Sequence, residues 1–359
     1  MRVGILGAGA VAYGAAARLA QLGHEATIWS PSGGRTIELA LGRPLVATGA
    51  ITGSFYPRVA SSCAEAVEDA DTVLLAMPGY GHRSALEAAA PYVRDNQPFI
   101  ISSHMSFGAL YLSKLLSARG IRAPIIAWGS TFSTGRQITS TQVTVGAIRK
   151  SVDLATLPES AIDEGLALCS KLFGDNFTKS DGLLAITLSN LNPQIHLGIA
   201  LLNLTRIERA EEWAQNENVT PTVGRLIEAL DNERLAIAAA FDLRVRTVQE
   251  HISLSYRIPS AGVSDMCQEM HRRGLGASGP KTVDSRYVLE DVPFGLLPTV
   301  LLGKLSGRNA TLHECGISIF SAAYGRHFAR ENDILAQLEL ENMTVSQLQC
   351  IMRVGYTPF

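Results

Sequence analysis

The sequence lacks the features that would place it in a membrane or in an oxidising compartment. Its 359 residues contain no apolar run close to the roughly 20 residues that a membrane-spanning helix needs. Only Arg2 precedes the first apolar stretch, and glycines interrupt that stretch at once, so we expect no signal peptide. Without a C-x-x-C pair, a metal centre or disulfide framework is not expected, and we predict a cytoplasmic protein. The cysteines stand far apart, at Cys63, Cys169, Cys267, Cys315 and Cys350.

An excess of charge of either sign is also missing. The chain has 31 Lys and Arg against 33 Asp and Glu, which gives a formal net charge of −2. This balance does not favour nucleic acid or an anionic membrane surface as a partner. Hydrophobic residues make up 47% of the sequence, which is enough for a globular core, and the length suggests two domains.

The first half of the chain alternates between strand-like and helix-like segments. A helix is predicted over Ala10–Gln21, and further extended chain over Thr141–Ala155. Alternation of this kind is typical of right-handed βαβ crossovers. We therefore predict an α/β Rossmann-type, doubly wound parallel sheet for residues 1–181. Its strands are expected at Arg2–Leu6, Glu25–Trp29, Asp71–Pro78, Pro98–Ser103 and Ala123–Trp128.

From residue 182 onward the pattern becomes helical, and an all-α domain is predicted for residues 182–359. The apolar stretch Leu183–Trp213 is either a helix kinked at Pro193 or a helix that starts there with Asn192 as its N-cap. Later helices are expected to start after Thr220, to span Thr311–Arg330, and to open at the capping box Thr344–Gln347.

The opening Gly7-x-Gly9-x-x-Ala12 lies where the first strand becomes the first helix. Gly7 permits a tight turn, Gly9 allows a pyrophosphate to approach the backbone, and Ala12 lets the helix pack on the strand. The start of the helix, with Ala10 and Val11, then offers free N–H groups to phosphates. We predict a dinucleotide site here, completed by Met77-Pro78 at the end of a later strand; the alternative is an ordinary glycine turn.

An acidic residue is missing at the end of the second strand. NAD-binding proteins usually carry Asp or Glu there to bind the ribose 2′-hydroxyl. This strand instead leads into Ser30, Ser32 and Arg35, which are suited to a 2′-phosphate. We therefore predict a preference for NADP(H) over NAD(H). The alternative is a plain turn with a solvated Arg35.

The helical half contains two polar clusters. His196 would share one helix face with Asn192 and Asn203, and polar groups on an apolar helix need partners or a ligand. Taken alone, His196 is more typical of a hydrogen-bonded core histidine. Asp291, which follows Glu290, is by itself most typical of an N-cap, and Arg286 either pairs with Asp291 or binds a carboxylate.

The stretches NLNPQIHLGIALLN, LDNERLAIAAAFDL and RYVLEDVPFGLLPTVLLG together resemble the opine (octopine/nopaline) dehydrogenases over essentially the whole chain. The resemblance implies reductive condensation of an amino acid's amine with an α-keto acid, with NAD(P)H as hydride donor. It places the catalytic pair on His196 and Asp291, where imidazole would act as general acid and base. Candidate substrate-binding residues are Arg286 first, then Asn192, Thr131 and Arg136.

Some residues depart from the family pattern. After the strand Pro98–Ser103, His104, Met105 and Phe107 replace a Pro/Gly-rich turn, and we expect them to project toward the nicotinamide. Together with the apolar stretch Gln194–Leu201, they favour an apolar or non-standard amino substrate. His82 is expected either near the cofactor or at the surface.

Two other functions stay open at this point. A reductase similar to ketopantoate reductase would use a catalytic lysine, and Lys171 and Lys179 are the nearest candidates, although neither lies in a convincing motif. A non-enzymatic NADP(H)-binding sensor would need the glycine motif alone. A homodimer is expected from the frequency of such assemblies.

Overall fold

Residues 1–357 are described by the structure, a computed structural model; residues 358 and 359 lie outside the described residues. Contacts divide the chain into two units. The first contains Met1–Thr187 together with the C-terminal segment from Ser346, and the second contains Leu188–Val345. The sequence pattern instead predicts a second domain that contains everything after residue 181.

The first unit is built on a large, mainly parallel sheet. Its strand order is β12-β11-β8-β7-β6-β1-β2-β5, and the β8–β11 pair is antiparallel while the other neighbours are parallel. The predicted doubly wound Rossmann-type sheet is therefore confirmed. The strands are β1 Arg2–Leu6, β2 Glu25–Trp29, β3 Leu45–Gly49, β4 Gly53–Phe55, β5 Arg58–Val59, β6 Thr72–Leu75, β7 Phe99–Ile101, β8 Ile125–Trp128, β9 Ser133–Thr139, β10 Gln142–Ile148, β11 Val152–Leu157 and β12 Phe177–Lys179.

A second sheet, in the order β4-β3-β10-β9, was not predicted. Its β3 and β4 are short and mix small, polar and apolar residues, so they carry no clear period-2 pattern. The helices that accompany the two sheets are α1 Ala10–Gln21, α2 Ile37–Ala40, α3 Cys63–Glu68, α4 His82–Ala89, α5 Gly108–Ser117, α6 Ile162–Phe173 and α7 Gly182–Leu188.

The second unit is helical, as predicted. Its helices are α8 Asn192–Leu202, α9 Leu204–Glu208, α10 Pro221–Ala240, α11 Val248–Tyr256, α12 Val263–Arg272, α13 Arg286–Leu289, α14 Leu297–Leu305, α15 Thr311–Tyr324 and α16 Leu335–Leu338. A buried ion pair joins two of its helices to Leu188, the residue at which the unit begins. The guanidinium of Arg234 on α10 donates to Asp231 Oδ1 and to the Leu188 carbonyl, while Asp231 Oδ2 accepts from the N–H of Val248 at the start of α11.

The last helix, α17 (Val345–Val354), begins where the TVSQ segment predicts a helix start. It returns to the first unit, which explains the difference from the predicted division of the chain. Arg353 Nε donates to Glu159 Oε2 at 2.8 Å, and the N–H of Tyr356 donates to Ser113 Oγ at 2.9 Å. These contacts link residues almost 200 positions or more apart, so no local pattern could reveal them.

Candidate active site

Helix α8, which carries His196, is packed closely by neighbouring elements. An added Cβ on Gly295 would lie 2.3 Å from Pro193 Cγ, and one on Gly316 of α15 would lie 2.2 Å from Leu197 Cδ1. Both glycines therefore permit an approach that any side chain would block. The backbone on either side of His196 is fixed as a result.

The start of α8 differs from the prediction for Asn192. Leu191 occupies the N-cap position, and Asn192 is the first helical residue, whose N–H donates to Asn190 Oδ1 at 3.2 Å. The predicted polar face is also smaller than expected. Asn203 ends the helix, and its side chain donates back to the Ile199 carbonyl at 3.0 Å, so its amide already has a partner within the helix.

His196 and Asp291 form a hydrogen-bonded pair in the second unit. The distance from His196 Nδ1 to Asp291 Oδ2 is 2.6 Å, and the side chains are 12% and 1% exposed. A carboxylate oxygen accepts this hydrogen bond and Nδ1 donates it, which makes Nε2 the acceptor nitrogen of the ring in its neutral form. Within residues 1–357, no protein group hydrogen-bonds to Nε2. The pair can therefore exchange a proton with a bound molecule.

Asp291 does not act as a side-chain N-cap. It stands directly before a π-helical turn, Val292–Leu296, and makes no capping hydrogen bond. Such turns are frequent at functional sites. Its Oδ1 is buried and has no partner among the described residues, so within residues 1–357 its side chain hydrogen-bonds to His196 alone.

A second histidine–carboxylate pair in the same unit, His313 and Glu233, differs from the pair of His196 and Asp291 in its hydrogen bonds. His313 on α15 is fully buried, and its Nδ1 lies 2.8 Å from Glu233 Oε2. Its Nε2 lies 3.2 Å from the side-chain nitrogen of Gln194, which donates to it. Both ring nitrogens of His313 are thus occupied by protein, which is typical of a structural histidine.

The ring of Tyr287 stacks on the imidazole of His196. The ring centroids are 3.6 Å apart and the planes differ by 9°. The hydroxyl of Tyr287 donates to Gln215 Oε1, and burial raises the pKa of Tyr287 to about 12. The sequence pattern indicates no role for either residue, although Tyr287 directly follows Arg286 in the stretch that carries the family resemblance.

Arg286 pairs with Glu290 and not with Asp291. Its Nε lies 3.3 Å from Glu290 Oε2; the Arg286 side chain is 59% exposed, whereas that of Glu290 is 5% exposed. Arg286 is the first residue of the four-residue helix α13 and Glu290 directly follows its last, so the two side chains meet one turn apart. The exposed guanidinium is available to a carboxylate from solution.

The other two predicted substrate residues belong to the first unit. Thr131 Oγ1 donates to the Ser133 carbonyl at 2.7 Å, and Arg136 is exposed on β9 opposite Thr144. These positions do not test their predicted contact with substrate, which stays a prediction.

The glycine motif has the geometry that a pyrophosphate requires. Gly7 adopts φ +133°, and an added Cβ would lie 2.3 Å from the Ala76 carbonyl oxygen. Helix α1 has Gly9 at its N-cap with no side-chain capping bond. The first-turn N–H groups of Ala10, Val11 and Ala12 have no acceptor within the helix, and anions bind well at such ends. The residues present therefore fit a dinucleotide.

The loop after β2 brings a cation to this helix end. Arg35 Nη1 lies 4.0 Å from the position that a Cβ on Gly9 would take, and Arg35 forms no ion pair with any described carboxylate. A side chain of α1 holds the loop in place, because the hydroxyl of Tyr13 donates to the Arg35 carbonyl at 2.7 Å. Ser30 is half-buried and Ser32 is exposed in the same loop.

The histidines near the ends of β6 and β7 are buried. His82 is 0% exposed, and its Nε2 donates to the carbonyl of Met77, beside the exposed Pro78. His104 is 3% exposed, and its Nε2 accepts from the N–H of Ala109. Burial lowers the pKa of His82 to about 4; burial and the neighbouring His82 lower the pKa of His104 to about 3.

Of the two alternatives for His82, the surface position is excluded, and a place near the cofactor stays a prediction. The expectation for the turn after β7 is wrong. His104, Met105 and Phe107 do not project toward a ligand, because all three are buried, with Phe107 at 0% exposure. The chain turns inward after β7 through Ser103, Ser106 and Phe107, which adopt positive φ. These residues therefore give no support for an apolar amino substrate.

Metal and membrane features are absent from the described part of the chain. No group of three or more His, Cys, Asp or Glu within residues 1–357 could hold a metal ion. No helix in the same range is long and apolar enough to cross a membrane.

Comparison with known proteins identifies relatives of both halves of the chain. A family model described as NAD/NADP octopine/nopaline dehydrogenase, alpha-helical domain, matches residues 179–324, and one described as NADP oxidoreductase coenzyme F420-dependent matches residues 2–104. An opine dehydrogenase of Arthrobacter sp. (strain 1C) is 31% identical over 351 residues, which is 96% of this chain and 97% of the relative. The chain belongs to the opine dehydrogenase family.

Solved structures of the family have the same fold. Octopine dehydrogenase with NADH and L-arginine superposes with a TM-score of 0.79 at 14% identity, covering 98% of each chain. Yersinopine dehydrogenase with NADP+ has a TM-score of 0.74 at 17% identity, covering 96% of this chain and 98% of the other. This opine dehydrogenase family member is an NAD(P)-dependent oxidoreductase that acts on CH–NH groups.

Proposed function

We propose that this enzyme reductively condenses the amine of an amino acid with an α-keto acid, and that His196 and Asp291 are its general acid–base pair. The observation that carries the proposal is the 2.6 Å contact between His196 Nδ1 and Asp291 Oδ2, with Nε2 left open. The resemblance to octopine dehydrogenase, which was solved with NADH and L-arginine, supports an amino acid as one substrate.

The pair serves the proton transfers of the condensation. On the way from the substrate ammonium to the iminium, the nitrogen loses two protons, and the keto oxygen gains two and leaves as water. Nε2 of His196 carries them one at a time: it accepts a proton from the nitrogen and delivers it to the oxygen, once when the carbinolamine forms and once when water leaves. Asp291 fixes the Nδ1–H tautomer and stabilises the imidazolium between these steps. When bound, NADPH supplies the hydride that reduces the C=N bond.

Arg286 is the proposed partner of the keto acid carboxylate. Glu290 engages Nε of the guanidinium, which leaves the terminal nitrogens free for a bidentate contact. Asn192, Thr131 and Arg136 are proposed as further substrate contacts on the sequence pattern alone.

A matrix assay tests the function. Pure protein is mixed with NADPH and a panel of α-keto acids, with and without amino acids, and NADPH oxidation is followed. Oxidation that needs both partners supports the condensation and identifies the pair. Oxidation with a keto acid alone would favour a ketone reductase of the ketopantoate reductase kind. Tight NADPH binding with no oxidation in any mixture would favour a sensor.

We also propose that the cofactor is NADPH rather than NADH, and that Arg35 carries the preference. The change Arg35→Ala is expected to raise KM for NADPH about 10- to 100-fold, since a hydrogen bond between charged groups contributes about 1.5–3 kcal/mol. KM for NADH should change little. Steady-state kinetics with both cofactors measures the effect.

The matched control is Arg43→Ala, because Arg43 is exposed and pairs with Glu38 at 2.9 Å in the same region of the first unit. It should leave both KM values unchanged. A wild-type enzyme that strongly prefers NADH would contradict the proposal. A homodimer and a cytoplasmic location stay predictions; light scattering of the purified protein tests the first.

A further inference from the structure

We infer that Tyr287 is a positioning residue: its ring fixes the plane of the His196 imidazole and so aims Nε2 at the reacting atoms. The inference rests on the proposed role of His196. The supporting observation is the near-parallel stack, with centroids 3.6 Å apart and planes 9° from each other.

Asp291 alone restrains the imidazole only loosely. Its hydrogen bond limits where Nδ1 lies, but such a bond tolerates about 30° of misalignment, and the torsion between Cβ and the ring is itself broad in histidine. A flat neighbour at van der Waals distance blocks this rotation, because any tilt of the imidazole would collide with it. Asp291 and Tyr287 together define both a point and a plane of the ring.

Tyr287 is itself held at both ends. Its N–H donates to Ser285 Oγ at 3.2 Å at the start of α13, and its hydroxyl donates to Gln215 Oε1. Gln215 lies 72 positions earlier in the chain, so the tyrosine ring is tied to two separate segments of the second unit. Charged groups beside the tyrosine are Arg286 and Asp291, and burial keeps the phenol protonated as a donor.

Substitutions at Tyr287 separate the ring from the hydroxyl. Tyr287→Phe keeps the flat face and should retain kcat within about threefold. Tyr287→Leu removes the face and should lower kcat about 10- to 100-fold with KM values nearly unchanged, because a small misplacement of a catalytic group costs up to about 100-fold. The matched control is Tyr324→Leu, a half-buried tyrosine whose hydroxyl donates to the Val283 carbonyl. It should keep kcat.

Gln215→Leu covers the case in which Tyr287→Leu does not fold. This change leaves the tyrosine hydroxyl without its acceptor and should lower kcat about three- to tenfold. Adding Tyr287→Phe removes that hydroxyl and should restore kcat. Near wild-type kcat in Tyr287→Leu, equal losses in the Phe and Leu variants, or no restoration in the double variant would each overturn the inference.

A measurement without substrate separates this inference from the proposed function. With histidine labelled at ¹³Cε1, NMR relaxation reports the motion of the His196 ring in the free protein. The ring should be rigid in wild type and in Tyr287→Phe, and mobile in Tyr287→Leu; a rigid ring in all three would overturn the inference. An active His196→Gln enzyme would instead remove the proposed function and leave the relaxation result standing.

Discussion

Replacing His196 with glutamine is expected to lower kcat by about 10²- to 10⁴-fold, the range that a positioned general acid–base contributes. Glutamine has similar length and can still hydrogen-bond to Asp291, but it cannot exchange a proton. NADPH affinity should stay unchanged, because the glycine motif and Arg35 belong to the first unit. Steady-state turnover with the substrate pair found in the matrix assay, together with NADPH titration, measures both quantities.

Two further variants sharpen this prediction. Asp291→Asn should lose less activity than His196→Gln, because the imidazole remains in place. His313→Gln should lower the free energy of unfolding yet keep kcat per folded molecule, since both ring nitrogens of His313 are bonded within the protein. Near-normal turnover by His196→Gln would contradict the assigned role, and a loss in His313→Gln as large as that in His196→Gln would remove the contrast between the two pairs.

Mild acid is expected to destabilise the first unit through His82 and His104. The pKa of His82 is about 4 and that of His104 about 3 in the folded protein, against about 6.5 in an unfolded chain. Below pH 6.5 the unfolded state therefore binds more protons, so stability is complete above that pH and falls as the pH decreases. Between pH 7 and pH 5, each histidine is expected to lower the free energy of unfolding by about 2 kcal/mol, and the pair by about 4 kcal/mol.

Urea unfolding at pH 7 and pH 5, followed by circular dichroism, tests the effect. Glutamine can keep the hydrogen bonds to the Met77 carbonyl and the Ala109 N–H without titrating, so His82→Gln and His104→Gln should each remove about half of the loss. His271→Gln, at an exposed histidine, is the matched control and should leave the loss unchanged. Equal unfolding free energies at the two pH values in wild type would contradict the prediction.

The sequence predicted some elements closely and missed others for identifiable reasons. The bounds of β1, α1 and β2 follow directly from an apolar run, a glycine motif and a run of alanines. The strands β3 and β4 were not predicted because they are short and because β3 pairs with β10, a strand far away in the sequence, as well as with β4. Asn192 was misplaced by one residue, because Asn190 provides the hydrogen bond that an N-cap would supply.

In the candidate site, too, some features could be predicted from the sequence and others could not. Resemblance to a family was needed to connect His196 with Asp291, because the two lie 95 positions apart and neither spacing nor periodicity links them. The partner of Arg286 was within reach, since Glu290 is one helical turn away. The inward turn after β7 could not be predicted, because the positive φ values of Ser103, Ser106 and Phe107 run against their residue types.

By itself, the sequence determined the features that depend on short-range physics. These are the Rossmann-type order of strands and helices and the uncapped N-terminus of α1 after Gly7 and Gly9. The sequence also shows that no acidic residue follows β2, which leaves Arg35 as the charged residue of that loop. The tertiary structure decided what depends on contacts between distant segments. It left one ring nitrogen of His196 without a protein partner, whereas both ring nitrogens of His313 are hydrogen-bonded. It also placed Tyr287 against the imidazole of His196 and buried His82 and His104. Side-chain partners of this kind follow from how helices and strands pack, and packing is set by the whole chain at once.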